Sequence, residues 1–210
     1  MIKIIVVLVS GGGSNLQALI DAQERGEIKN GKITCVISSK EGAYALERAK
    51  NHNIKAMAIP RRDYPDVVSY SKKLLEVLKE ENADLIVYAG FMTILDKVLT
   101  DEYVNKMMNV HPALIPSFCG KGYYGLHVHE EALKKGVKVT GATVHFVNDI
   151  CDGGPIILQK AVEIKNGDTP EILQKRVMEQ AEWIILPKAV SLFCEDKIKV
   201  LEDNTTVIAD

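Results

Sequence analysis

Three short runs constrain the fold more than any other feature of the chain. They are Ile4-Ile5-Val6-Val7-Leu8-Val9, Ile33-Thr34-Cys35-Val36-Ile37 and Ala83-Asp84-Leu85-Ile86-Val87-Tyr88-Ala89, apolar almost without interruption. A strand with one wet face alternates apolar and polar residues. A strand that is apolar on both sides must be covered on both. Between these runs lie helix-like stretches at Asn15 to Arg25, Ala43 to Asn51 and Tyr64 to Glu81. The last has Val67, Val68, Leu74, Leu75 and Leu78 at helical spacing. Lys55 to Ile59 reads as a further short strand ended by Pro60. Doubly buried strands alternating with helices predict an α/β chain with a Rossmann-like parallel sheet clad on both faces.

The second half changes style. Val110 to Tyr124 carries Pro112, Pro116, Gly120 and Gly122 and reads as a stiff loop. A short helix is expected at His129 to Lys135. Lys138 to Val147 alternates as a half-exposed strand, with Ala142, Val144 and Phe146 on one face and Thr143, His145 and Val147 on the other. Ile156 to Ile164 is another strand. Thr169 to Phe193 reads as one long helix, capped by Asp168, opened by Pro170 and kinked at Pro187. A terminal hairpin is expected around Asp203-Asn204. Antiparallel strands therefore extend the sheet in this half.

With 210 residues and no linker or repeat, the chain reads as a single domain. Residues 1–100 form a phosphate-binding half and 101–210 a catalytic half. A net charge of -2 offers no electrostatic footprint for nucleic acid or an anionic membrane surface. No apolar run approaches the roughly 20 residues that span a bilayer, and the first strand runs into Ser10-Gly11-Gly12-Gly13 instead of a signal cleavage site. Cys35, Cys119, Cys151 and Cys194 form no CxxC pair. Reduced thiols in a cytoplasmic protein without a metal are expected, although His127-Val128-His129 has a spacing metals occasionally use.

Three motifs carry chemistry. Ser10-Gly11-Gly12-Gly13-Ser14-Asn15 lies between the first strand and the first helix. Backbone N–H groups there can approach an anion at a helix N-terminus. The dinucleotide frame would need a third glycine where Leu16 stands, and no acid is placed for a ribose after the second strand. A single phosphate is favoured over NAD, with a turn that merely packs as the plain alternative. Asn109-Val110-His111-Pro112 puts an amide and an imidazole at i and i+2, on one side of an extended chain. That suits a developing oxyanion, though a capping Asn beside a core His shares the pattern. Asp149-Ile150-Cys151-Asp152-Gly153-Gly154-Pro155 is a sharp turn whose carboxylate could orient His111 and raise its pKa, or could be an ordinary turn acid.

In this order the motifs resemble the phosphoribosylglycinamide formyltransferases, together with Ala89-Gly90-Phe91-Met92, and the resemblance covers essentially the whole chain. It implies a formyltransferase that moves the formyl group of 10-formyltetrahydrofolate to the amine of glycinamide ribonucleotide in purine synthesis. The ligands are small molecules, with a monomer or homodimer as the assembly. The phosphate would sit on Gly13, Ser14 and Asn15, and the ribose on Glu182. The pterin would lie against Met92, Thr93, Ile94 and Leu95 and the loop from Val147 to Asp152. Asn109 and His111 would stabilise the tetrahedral oxyanion while Asp152 keeps His111 protonated. His127, and more weakly His145, match family histidines. Thr93 stands where members often have an arginine, and Val67 where many have one that contacts the folate tail, which leaves the tail's partners open, with Arg61, Arg62 or Lys72 as substitutes. The loop from Cys119 to Tyr124 is longer than the shortest family versions. A formyltetrahydrofolate hydrolase would share Asn109, His111 and Asp152 but is expected to carry an N-terminal regulatory domain. A methionyl-tRNA formyltransferase would need a further basic C-terminal domain. A non-catalytic nucleotide or folate module would not need the intact trio.

Overall fold

The computed structural model describes residues 1–209. The first half runs β1 (Lys3–Val9), α1 (Ser14–Glu24), β2 (Gly31–Ser38), α2 (Tyr44–Asn51), β3 (Lys55–Ala58), α3 (Val67–Glu80), β4 (Leu85–Tyr88) and α4 (Lys97–Thr100). The second half runs β5 (Met107–His111), α5 (Leu126–Lys135), β6 (Val139–Phe146), β7 (Ile156–Glu163), α6 (Pro170–Val177), a π turn (Met178–Glu182), α7 (Trp183–Cys194), β8 (Ile198–Val200) and β9 (Thr206–Ile208). Seven strands form one sheet in the order β3-β2-β1-β4-β5-β6-β7, and β8 and β9 make a separate hairpin. Pairing is parallel from β3 through β5 and antiparallel from β5 to β7.

The apolar runs explain this layout. Ile5, Val7 and Val9 of β1 enter one core with α1, α2 and α7, whereas Val6 and Leu8 enter the other with α3. Both faces are dry, as continuous hydrophobicity requires. The strand order reverses between β1 and β4, whose neighbours lie on opposite sides. Their connecting segments diverge there and leave a crevice beyond the strand ends, where ligands bind in open α/β sheets.

Several local expectations change. Val110 and His111 belong to β5, so the loop starts at Pro112. The strand sequence Met-Met-Asn-Val-His has no continuous apolar run to announce it. β6 is buried on both faces from Thr140 onward, because Thr143 is tied to the Ala113 carbonyl and the Ile115 N–H of the loop that covers it. α5 starts at Leu126, earlier than the apolar spacing suggested. The long C-terminal helix is interrupted at the π turn, and Pro187 lies within α7. Its cap is Thr169, whose hydroxyl accepts from the Ile172 N–H at 3.3 Å. Asp168 instead accepts from the Lys165 N–H and pairs with Arg176, whose guanidinium holds the carboxyl down to about 2.

Candidate active site

The crevice holds a cavity of about 280 Å3. Its floor is the end of β5. Asn109 and His111 alternate on that strand, so both side chains leave the same face. The antiparallel register sets His145 of β6 directly beside Asn109. His145 Nε2 accepts from the Asn109 amide at 3.3 Å, and its Nδ1 donates to the Phe146 carbonyl at 2.8 Å. His145 therefore fixes the amide, a larger part than its sequence match suggested.

Asp152 reaches this floor from the turn after β6. Its oxygens lie 3.5 Å from His111 Nδ1 and 3.6 Å from His145 Nε2, and the Gly120 N–H donates to it at 2.8 Å. Asp152 has φ +54°, in the left-handed region that Asp tolerates better than most residues. The turn is this tight because Gly154 passes the β6 end closely: a Cβ there would meet the Phe146 carbonyl oxygen at 1.9 Å. Burial opposes ionisation of Asp152. The neighbouring His145 and His111 rings and the Gly120 N–H nevertheless hold its carboxyl below the usual range.

His111 is 4 % exposed, and its Nε2 donates to the Phe118 carbonyl at 2.7 Å. Burial pushes its pKa below the ordinary histidine value, while Asp152 and the Phe118 carbonyl pull it up. Burial outweighs them. Asp152 thus offsets part of the cost that burial puts on a charged His111 ring.

One wall is the segment after β4, where Met92, Thr93, Ile94 and Leu95 face the lining of Val147 to Asp152. Met92 and Ile94 are 52 % and 59 % exposed, so apolar side chains stand uncovered at the cavity mouth. The opposite end is built by the π turn, which delivers Glu182 to Asn15: the Asn15 amide donates to its carboxylate at 2.8 Å. Burial pushes Glu182 up to about 7, and the Asn15 bond offsets only part of that.

Gly13 and Ser14 line an adjoining cavity that shares Asn15 and Gly90 with the first. α1 starts there on Gly13, at φ +73°, without any side-chain cap. Its first N–H groups are thus left for an external acceptor. Arg48 of α2 lines the same cavity and holds the turn, donating to the Gly12 carbonyl at 2.8 Å and to Gln17 at 3.0 Å. Ser10 joins the two segments: its hydroxyl accepts from the Met92 N–H at 3.0 Å. Ser10 belongs to the glycine motif read from the sequence, whereas Arg48, far from it along the chain, carried no signal there.

The proposed phosphate, ribose, pterin and catalytic residues thus surround two adjoining cavities. His127 is not among them. It is half-exposed, stacks on Tyr123 and faces Glu130, because the early start of α5 turns it outward. His129 lines the cavity in its place. Arg61 is bound to the Tyr64 carbonyl and Arg62 to Glu41, and neither they nor Lys72 line the cavity. Among the described residues no group of three His, Cys, Asp or Glu is arranged to hold a metal, and no helix is long and apolar enough to cross a membrane.

The sequence pattern of the formyl transferase family matches residues 3–190. The phosphoribosylglycinamide formyltransferase of Escherichia coli is 39% identical over 199 residues, which are 95% of this chain and 91% of that protein. The chain belongs to the phosphoribosylglycinamide formyltransferase family. Glycinamide ribonucleotide transformylase 1 from Symbiobacterium toebii superposes with a TM-score of 0.93 at 39% identity, covering 100% of this chain and 95% of that one. A formyltetrahydrofolate deformylase from Pseudomonas syringae shares the fold at a TM-score of 0.88, but at 26% identity and over 67% of its own length. Membership in the transferase family weakens the hydrolase alternative.

Proposed function

We propose that this cavity moves a formyl group from 10-formyltetrahydrofolate to the amine of N1-(5-phosphoribosyl)glycinamide, as in de novo purine biosynthesis. The observation that carries the reading is the continuity of the site. A side-chain trio of Asn109, His111 and Asp152 lies between an apolar wall and an uncapped helix start. An aromatic pterin fits against Met92, Ile94, Leu95 and Ile150, and a phosphate fits the Gly13 to Asn15 backbone beside Arg48. Glu182 accepts the ribose hydroxyls.

The chemistry assigns each group one task. The Asn109 amide donates to the formyl oxygen as the substrate amine bonds to the formyl carbon. His111 donates from Nε2 to the same oxygen, which replaces the Phe118 carbonyl as acceptor. Both donors act on charge that exists mainly in the transition state. The bond from carbon to the folate nitrogen then breaks. That nitrogen takes the proton given up by the amine, passed by His111 or by water. Asp152 orients His111 and offsets the cost of a positive charge in a buried ring. A turnover assay with both substrates, with formate followed in parallel, tests the assignment. Formylated nucleotide should appear one for one with folate consumed. Formate release without nucleotide would establish a hydrolase instead.

A further inference from the structure

Ser10 opens the glycine motif, yet it lines neither the phosphate cavity nor the main one. It is buried at the end of β1, and its hydroxyl bridges the ends of three neighbouring strands. It meets Ser39 Oγ, just past β2, at 2.7 Å, and it accepts from the Met92 N–H, beyond β4, at 3.0 Å. A hydroxyl has two lone pairs and one proton, so it can serve both partners at once.

What Ser10 holds is the wall assigned to the pterin. Gly90 to Leu95 belongs to no helix or strand. Phe91 and Leu95 turn into the core, whereas Met92 and Ile94 stand exposed at the cavity mouth. Before this segment, the Ala89 N–H donates to the Leu8 carbonyl at 2.9 Å; after it, the Asp96 N–H donates to Ser71 Oγ at 2.8 Å. Between those two anchors, among the described residues, the Met92 bond to Ser10 is the one hydrogen bond made by the main chain. Six residues of backbone therefore depend on a single polar contact near their middle. We propose that Ser10 is a positioning residue for the formyl donor: its hydroxyl fixes the wall from Met92 to Leu95 where the pterin must lie. The inference rests on the pterin reading of that wall. It divides the glycine motif by task, with the Gly13 to Asn15 backbone serving the nucleotide and the Ser10 side chain serving the folate.

Steady-state kinetics on Ser10→Ala separates the two tasks. Loss of one neutral hydrogen bond should raise the KM for 10-formyltetrahydrofolate about five- to tenfold. The KM for glycinamide ribonucleotide and kcat should stay within about twofold, because the phosphate turn and the trio of Asn109, His111 and Asp152 are untouched. A merely structural serine would move both KM values together. An unchanged folate KM, or an equal rise in both, would overturn the proposal. Amide hydrogen exchange tests it on the wild type, without any variant. The Met92 N–H should exchange more slowly than those of Thr93 and Ile94. Adding tetrahydrofolate should slow it further, whereas inorganic phosphate should not. Met92 exchange as fast as that of its neighbours, or unmoved by tetrahydrofolate, would overturn the proposal. If the wild-type protein bound neither folate, the pterin reading itself would fall, and this proposal with it.

Discussion

The two ends of the cavity are built from different materials. At the nucleotide end the chain offers backbone: the uncapped start of α1 and the exposed face of Gly11 and Gly12, backed by Arg48 and one buried acid, Glu182. At the catalytic end it offers a side-chain network in which His145 fixes Asn109, and Asp152 spans His111 and His145. Backbone dipoles pointing at a phosphate act equally in the ground and transition states, so they set binding. Oriented side chains meet a charge that appears only during reaction, so they set rate. Changes at the first end should therefore move KM, and changes at the second should move kcat.

The largest expected effect lies at the catalytic end. His111→Ala and Asn109→Ala should each lower kcat by about 10²–10³, or ~3–4 kcal/mol, with nucleotide and folate affinities little changed. Steady-state kinetics with calorimetric affinities checks this. Loss of affinity at constant kcat would reverse the assignment of the two ends.

Glu182 offers an effect of similar size at the other end, read as stability. Its carboxyl is raised from 4.5 to about 7 in the folded protein. A group that holds its proton more tightly when folded contributes fully below its unfolded pKa, here about 4.5. That contribution is lost as pH rises through about 7, on the order of 3 kcal/mol in all. Glu182→Gln should remove this decline. Denaturant unfolding at pH 5 and pH 8 should show the wild type losing stability relative to the variant across that window. Parallel curves would mean that Glu182 ionises freely.

Asp152→Asn should lower kcat about a hundredfold while both ligands still bind. Without the carboxylate, His111 loses an upward pull and its pKa should fall further below the ordinary value. NMR titration of His111 in both proteins separates this from a packing defect. An unchanged titration would dissolve the coupling.

Most of this architecture was legible in the sequence for a physical reason. A parallel core writes itself as unbroken apolar runs, and Ile5 to Val9 divide between the two cores as such a run requires. β5 was harder, because its alternate residues face the site and are polar. The π turn has no sequence signature, and Glu182 entered through family resemblance alone. Of the two α5 histidines, which one faces inward depends on where the helix starts. Val128, His129 and Ala132 are the buried residues of α5, and His127 falls outside that stripe. Arg48 acts on a loop 36 residues earlier in the chain, a relation that no local pattern records.

The smallest effects sharpen the backbone side of the comparison. Gly13, at the start of α1, is one place to crowd a phosphate. However, a Cβ there would meet Ala45 Cβ at 2.7 Å, and its φ of +73° disfavours any other residue. Gly13→Val should therefore unfold or destabilise the protein and say nothing about binding. Gly12 has nothing within 4 Å of an added Cβ. Gly12→Val should fold with an unchanged melting temperature and raise the KM for glycinamide ribonucleotide about tenfold, the order of one lost charge-assisted hydrogen bond, with the folate KM unmoved. Ser14→Ala removes a hydroxyl but no backbone N–H, so its KM should change less than about threefold, within the net worth of one neutral hydrogen bond. Kinetics on the two variants, with melting curves as the control, decides between backbone and side chain. A Ser14→Ala effect larger than that of Gly12→Val would make the hydroxyl the principal phosphate ligand, and the two ends of the cavity would then be built alike.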